Sequence, residues 1–115
     1  MYARVWKVQL LPEKADQFTV GVNSVLSILR QQAGFRGLLV LRGGPGESLE
    51  ATVVSAWDSL DYLRASETTA FHQAVARVLA CCEHGPFMRE EKVLLSEFSN
   101  PGKEDTTATY RWPAS

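Results

Sequence analysis

The sequence has few of the residues that mark metal-binding or disulfide-rich proteins. Its only two cysteines, Cys81 and Cys82, are adjacent, and neighbouring residues rarely meet disulfide geometry without backbone strain. No CxxC pair or Cys/His cluster accompanies them, so neither a metal site nor a redox motif is expected. We interpret both cysteines as small apolar residues near a helix end.

An excess of basic charge is also lacking. The chain has 12 Lys and Arg against 13 Asp and Glu, for a formal net charge of -1, whereas nucleic-acid-binding domains usually carry a basic stripe. Apolar runs stay well below the length that spans a bilayer, and the chain opens on a strand-like pattern instead of a leader. We therefore expect a cytoplasmic protein whose partners include neither nucleic acid nor a membrane.

The sequence does contain one regular succession of strand-like and helix-like patterns. With 115 residues, 45% of them apolar, the chain has the size of one compact domain. Strands are predicted by alternation and helices by apolar residues at three- and four-residue steps. The strands are predicted at residues 2–11, 35–42, 49–57 and 89–98, and the helices at 13–32 and 59–82 with a break near 66–69.

This order predicts a ferredoxin-like α+β sandwich of βαββαβ type, a four-stranded antiparallel sheet with two helices on one face. The strands are apolar on both faces, so the second face needs a cover, and a second copy of the chain is the simplest one. We therefore predict a homodimer that closes a dimeric α/β barrel. The domain is predicted to span residues 1–98, and the polar residues 99–115 are interpreted as a mobile tail.

The glycines and prolines are predicted to break these elements. Gly34 is the expected C-terminal cap of the first helix, and Gly85 with Pro86 is expected to stop the second. Residues 43–46, GGPG, predict a hairpin loop, because they lie between two strands and lack the GK[ST] ending of a phosphate-binding loop. His84, beside Gly85, is expected to cap helix carbonyls.

Three short motifs resemble the antibiotic biosynthesis monooxygenase (ABM) superfamily of dimeric α/β-barrel domains. They are AGFRG at residues 33–37, VVSAWDS at 53–59, and ASE followed by FHQA within 65–74. The resemblance covers residues 2–98. It implies a cavity between sheet and helices that holds a flat aromatic or quinone-like substrate, and oxygen chemistry without a bound metal or flavin, so no cofactor is expected.

The same family includes haem-degrading oxygenases, which use an Asn on the first strand and a Trp and a His on the second helix. The first strand of this chain has no Asn, and its second helix has no Trp. His72 also falls several positions earlier than the haem-ligating histidine of the family. Haem degradation is therefore not expected.

Three residues, His72, Trp57 and Tyr62, form the predicted catalytic set. The imidazole of His72 can take a proton from a hydroxyaromatic substrate, which prepares that molecule to react with oxygen. Trp57 ends a strand at the mouth of the presumed cavity, where its indole can stack on an aromatic ring. Tyr62 can donate a phenolic proton. Each has a structural alternative: His72 at a helix edge, Trp57 packing the strand-to-helix junction, and Tyr62 covering its helix.

The predicted substrate-binding residues are Trp6, Arg4 and Phe71. A buried Arg4 can hold an anionic group with two hydrogen bonds, although strand arginines usually lie at a rim. We expect at least two of the three strand arginines, Arg4, Arg36 and Arg42, to be rim charges. Trp6 can pack or bind in the same way as the tryptophan of the third strand, and Phe71 belongs to the apolar face of the second helix.

Two functions remain open from the sequence. The first is a cofactor-independent monooxygenase that acts on a small aromatic or quinone-like molecule held near Trp57 and His72. The second is a non-catalytic dimeric module of the same fold that binds a small hydrophobic ligand in a stress or regulatory role. The cavity distinguishes them, because side chains that fill the space beside these two residues argue against the enzyme.

Overall fold

A computed structural model describes residues 1–43 and 49–95 of the chain. The elements are β1 (Tyr2–Leu10), α1 (Ala15–Leu29), β2 (Phe35–Gly43), β3 (Glu50–Trp57), α2 (Leu60–Ala65), α3 (Thr69–Leu79) and β4 (Cys82–Lys92). The strands form one antiparallel sheet in the order β2-β3-β1-β4. This confirms the predicted ferredoxin-like sandwich. Within the described ranges, every helix is too short or too polar to cross a membrane.

Capping side chains explain why the second helical segment is divided. The Ser59 hydroxyl accepts a hydrogen bond from the backbone N–H of Tyr62 at 3.2 Å and begins α2, as the sequence predicts. The Thr68 hydroxyl accepts one from the N–H of Phe71 at 3.2 Å and begins α3. The predicted break near residues 66–69 is therefore confirmed, and it separates two individually capped helices.

The predicted limits of the fourth strand, residues 89–98, are wrong. Strand β4 spans Cys82–Lys92, and α3 already ends at Leu79, before the predicted helix end. Gly85 and Pro86 therefore lie inside a strand and do not stop a helix. A proline is tolerated there because β4 is at the edge of the sheet, where one side of the strand needs no ladder hydrogen bond.

Two further local predictions, for His84 and Gly34, are also wrong. His84 lies within β4, where it is paired with Gln9 of β1 in the strand register, and not at the end of a helix as predicted. Gly34 lies in the turn between α1 and β2 with a φ of +80°, while the C-cap of α1 is Arg30. Residues 44–46 of the predicted hairpin loop, residues 96–98 of the predicted strand and the predicted tail lie outside the described residues.

The core lies between the helices and one face of the sheet. Even-numbered residues of β1 and odd-numbered residues of β3 share this face, since Trp6 is opposite Val53 in the register. Gly21 of α1 lets α3 approach closely, because a Cβ there would lie 3.0 Å from Val78 Cγ2. The buried apolar residues of the sheet are Trp6, Val8, Leu10, Ala51, Val53 and Trp57.

The opposite face of the sheet is partly exposed. It carries Val5 and Val54, which face each other in the register, and Leu39 and Leu41 of β2, which are exposed. An apolar sheet face without a cover favours association. The homodimer that the sequence predicts therefore stays a prediction, and this face is where it would form.

Cys81 and Cys82 occupy the junction of α3 and β4. Both are free thiols; Cys81 is buried in the core and Cys82 is half-buried. Their Sγ atoms lie 3.5 and 3.3 Å from the backbone oxygens of Arg77 and Val78, four residues earlier in each case. The interpretation of the pair as small core residues near a helix end is confirmed.

Burial of the Cys82 thiol is expected to make the fold less stable at alkaline pH. Desolvation first, and then the neighbouring Cys81, raise the pKa of Cys82 to about 11 from an ordinary value of 9.0. Because the unfolded thiol ionises before the folded one, this group stabilises the fold fully below pH 9, and the contribution is lost as the pH rises from 9 to 11. We expect urea midpoints to fall over that window, and to fall less in Cys82→Ala. An equal fall in both proteins would contradict a role for this thiol.

Candidate functional site

Arg4 is a buried charge on the helix-facing side of β1. Only 2% of the residue is exposed, although arginine is almost never fully buried without partners. Its neighbours in the register are Ser55 of β3 and Glu90 of β4. The strand alternation that places Trp6 and Val8 in the core places Arg4 in the same layer.

The turn between α2 and α3 supplies the partners of Arg4. Its Nη2 donates to the backbone oxygen of Leu63 at 2.9 Å and to Glu67 Oε1 at 3.1 Å. Its Nη1 and Nη2 both lie 3.3 Å from the Ser66 hydroxyl, which itself donates to the Leu63 oxygen at 2.6 Å. The break in the helical segment therefore has a function in the fold, because it turns backbone and hydroxyl oxygens toward a buried cation.

Burial and Glu67 act on Arg4 in opposite directions. Desolvation lowers the pKa of the guanidinium below its ordinary value, and the carboxylates of Glu67 and Glu90 offset part of that shift. Arginine remains charged under physiological conditions, so the layer holds a permanent positive charge. The Glu67 side chain that balances it is 41% exposed and therefore lies at the boundary with solvent.

A cleft of about 390 Å³ opens onto this arginine. Its volume lies in the range of small-molecule sites. The lining is strongly charged and contains a second ion pair, in which Arg64 Nε lies 3.4 Å from Glu90 Oε2. The lining residues are Arg4, Arg64, Glu67, Met88, Arg89 and Glu90.

Two buried aromatic rings, those of Phe71 and Trp6, pack behind Arg4 and are not among the lining residues of the cleft. The guanidinium carbon of Arg4 lies 4.8 Å from the centre of the Phe71 ring, a distance at which a cation is attracted to the ring face. The Trp6 and Phe71 rings meet edge to face with centres 5.9 Å apart. The structure therefore brings the three predicted substrate-binding residues together in one cluster.

Trp57 lies apart from this cluster, in the core. It is 0% exposed, meets the Phe35 ring edge to face at 5.4 Å, and donates its indole N–H to the Ser55 hydroxyl at 3.0 Å. The ring of Trp57 is thus covered by other side chains, and its indole N–H already has an acceptor within the protein. The space beside Trp57 is filled by side chains, which agrees with the structural alternative for this residue.

The other two predicted catalytic residues lie at the surface. Tyr62 is 44% exposed and its ring packs over Gly34. His72 is exposed on α3, with its ring 5.7 Å from that of Phe71, and it does not line the cleft. The structure therefore does not bring Trp57 and His72 onto one open space.

Sequence reasoning missed the carboxylates and two arginines of the site, Arg64 and Arg89. Glu67 lies in the predicted break, and Glu90 does not stand out as part of a carboxylate pair, because the adjacent Glu91 points to the opposite face of its strand. The break between two helices was the signal available, since a turn beside a buried strand arginine is a natural source of acceptors. Arg36 and Arg42 are exposed, as predicted for two of the three strand arginines.

Fold and site together define a small α+β domain with a buried cation beneath a cleft. Residues 1–78 match the family model "Antibiotic biosynthesis monooxygenase". The chain therefore belongs to the ABM family, as its motifs suggest. Within the described part of the chain, no group of three His, Cys, Asp or Glu side chains is placed to hold a metal ion.

Solved structures of the same fold agree with this assignment. A putative antibiotic biosynthesis monooxygenase from Nitrosomonas europaea superposes with a TM-score of 0.70 at 12% identity, covering 83% of this chain and 100% of that one. SnoaB, a cofactor-independent oxygenase from Streptomyces nogalater, gives a TM-score of 0.71 at 14% identity, covering 83% and 94%.

An anthrone oxidase-like protein gives a TM-score of 0.67 at 24% identity and covers 82% of this chain and 44% of its own. Identities this low establish the common fold and no more. A search of curated proteins by sequence finds no match.

Proposed function

We propose that this ABM-family protein is a monooxygenase that needs no cofactor and acts on a small aromatic or quinone-like molecule. The observation that carries the proposal is the buried Arg4 beneath a cleft of about 390 Å³. The similarity in fold to SnoaB, a cofactor-independent oxygenase, supports the class of reaction. The substrate would enter beside Met88 and place an oxygen at the guanidinium.

Arg4 would favour the ionised form of such a substrate. A guanidinium in a poorly solvated layer interacts with a phenolate or enolate oxygen more strongly than it would in water, and it can do so through two hydrogen bonds. Glu67 holds that position in the unliganded protein, and because it is partly exposed it can turn outward as the ligand binds. The ligand anion thus exchanges with a carboxylate and leaves the charge of Arg4 balanced.

An ionised substrate is electron-rich enough to react with oxygen directly. For a CH₂ group between two aryl rings, R₂CH₂ and O₂ give R₂C=O and H₂O. One oxygen atom forms the new C=O bond, the O–O bond breaks, and the second oxygen leaves as water with the two hydrogens of the CH₂ group. The four electrons that reduce O₂ all come from the substrate, so this reaction requires no further reductant.

Oxygen uptake tests the proposal. With a panel of hydroquinones and anthrone-type compounds, we expect consumption above the spontaneous rate for at least one compound, with one O₂ used per ketone formed. Catalase should return no oxygen, because the reaction releases water, whereas simple autoxidation of a hydroquinone releases peroxide. Uptake at the spontaneous rate across the panel would contradict the proposal.

The predicted role of His72 as the base has its own test. Its ring is exposed and outside the cleft lining, so we expect His72→Ala to lower oxygen uptake by less than about threefold, well below the effect of removing a general base. Gln73→Ala, at the next exposed position of α3, is the matched control. A fall of a hundredfold confined to His72→Ala would restore His72 as the base.

The non-catalytic module remains a second candidate because the space beside Trp57 is filled. On that account the cleft binds a ligand and transforms nothing. Binding of an aromatic anion without any oxygen uptake favours it.

The homodimer is proposed for either function, since the apolar sheet face around Leu39 and Leu41 needs a cover. Sedimentation equilibrium should give twice the 12.8 kDa mass of one chain. The mass of a single chain at micromolar concentration would contradict the dimer.

A further inference from the structure

The indole N–H of Trp6 is a buried donor without an acceptor. Trp6 is 4% exposed, and among the described residues its Nε1 is the one buried side-chain nitrogen or oxygen that lacks a hydrogen-bond partner. Such a group costs about 1–3 kcal/mol when nothing accepts its hydrogen bond. The comparable donor of Trp57 donates to the Ser55 hydroxyl at 3.0 Å, so an indole N–H without an acceptor is not a general feature of this core.

Trp6 lies next to the cleft on two sides. Arg4 is the previous residue on the same face of β1, and Met88 is opposite Trp6 on β4. Both line the cleft. Met88 is 47% exposed, and an unbranched thioether side chain readily changes rotamer, so it separates the indole from the cleft only weakly.

We infer that the Trp6 Nε1–H group donates a hydrogen bond to a neutral carbonyl oxygen of the ligand in the cleft, while Arg4 holds a negatively charged oxygen of the same molecule. Both groups contact the Phe71 ring, so they belong to one small site. A cation and a neutral N–H donor side by side select a ligand whose two oxygens differ in charge. The ligand class is therefore a ring carbonyl conjugated to an ionised hydroxyl, as in a hydroxyquinone anion.

This inference rests on the proposed function only for the position of the site. A binding measurement tests it, and no catalytic reaction is needed. The probes are 2-hydroxy-1,4-naphthoquinone, which carries the carbonyl and the charge, and 1-naphthol, which has the same two rings and neither feature. Calorimetry measures both with the unsubstituted protein and with Trp6→Phe, a change that removes the N–H and keeps an aromatic ring. We expect about tenfold weaker binding of the quinone and less than twofold change for the naphthol.

An equal change for both probes, or no change for the quinone, would overturn the inference and leave a water molecule as the partner of the indole. Absence of quinone binding to the unsubstituted protein at about 1 mM would also overturn it. If Trp6→Phe does not fold, the indole ¹⁵N–¹H resonance of Trp6 in the unsubstituted protein answers the same question. That resonance should move downfield with the quinone and not with the naphthol, and identical spectra would reject the contact. Failure of oxygen uptake with intact quinone binding would remove the proposed reaction and keep this site.

Discussion

Gly34→Ala is expected to destabilise the protein by about 3 kcal/mol, which for a chain of this length lowers the melting temperature by roughly 10 °C or more. Gly34 has a φ of +80°, a backbone conformation that is strained for any residue with a Cβ. The added Cβ would also lie 2.6 Å from the Cβ of Tyr62 and closer still to its ring. Backbone strain and overlap therefore act together in the turn that joins α1 to β2.

Two further variants separate these causes. Gly43→Ala is the matched control, because nothing lies within 4 Å of a Cβ there, and we expect a change within about 0.5 kcal/mol. Combining Gly34→Ala with Tyr62→Ala should cost about 1 kcal/mol less than the two changes added together, since the ring atoms are gone. Strict additivity in urea unfolding would mean that the ring is not the obstacle, and would contradict this account of Tyr62.

Arg4→Met is expected to weaken binding of 2-hydroxy-1,4-naphthoquinone about a hundredfold, with less than threefold change for neutral 1-naphthol. Methionine has an unbranched side chain that fills the same layer, but it leaves the ligand's charge without a partner. Arg4→Lys should give an intermediate loss, because an ammonium cannot form the paired hydrogen bonds of a guanidinium.

Arg36→Met is the control for the loss of one positive charge. The Arg36 side chain is 57% exposed, and its pair with Asp58 at 3.4 Å is of the surface kind that contributes little. We expect its binding of both probes to stay within twofold of the unsubstituted protein. Equal losses in the Arg4 and Arg36 variants would show that overall charge, and not the cleft, governs binding.

Most of the fold could be predicted from the sequence because its periodicities and caps act locally. The alternation of β1, the helical spacing of α1 and the Ser59 cap each predict an element that the structure contains. The error at β4 has a definite cause. Gly85 and Pro86 are strong breakers in isolation, but antiparallel pairing with β1 at an edge accepts both, and a single sequence does not show that pairing.

The site was predictable only in part. Alternation on β1 places Arg4 and Trp6 on one face, and both were predicted as binding residues. Glu67 reaches Arg4 across 63 positions of sequence, and no local pattern specifies such a contact. Trp57 illustrates the converse, since a tryptophan at the end of a strand looks the same in sequence whether it packs in the core or faces a cavity.

A crystal structure of the protein with bound 2-hydroxy-1,4-naphthoquinone would show whether Arg4 and its cleft hold the ligand. We expect a ligand oxygen at about 3 Å from the Arg4 guanidinium, a Glu67 side chain turned toward solvent, and the ligand ring beside Met88. A ligand seated instead beside Trp57 and Tyr62, with the pair between Arg4 and Glu67 intact, would contradict this expectation.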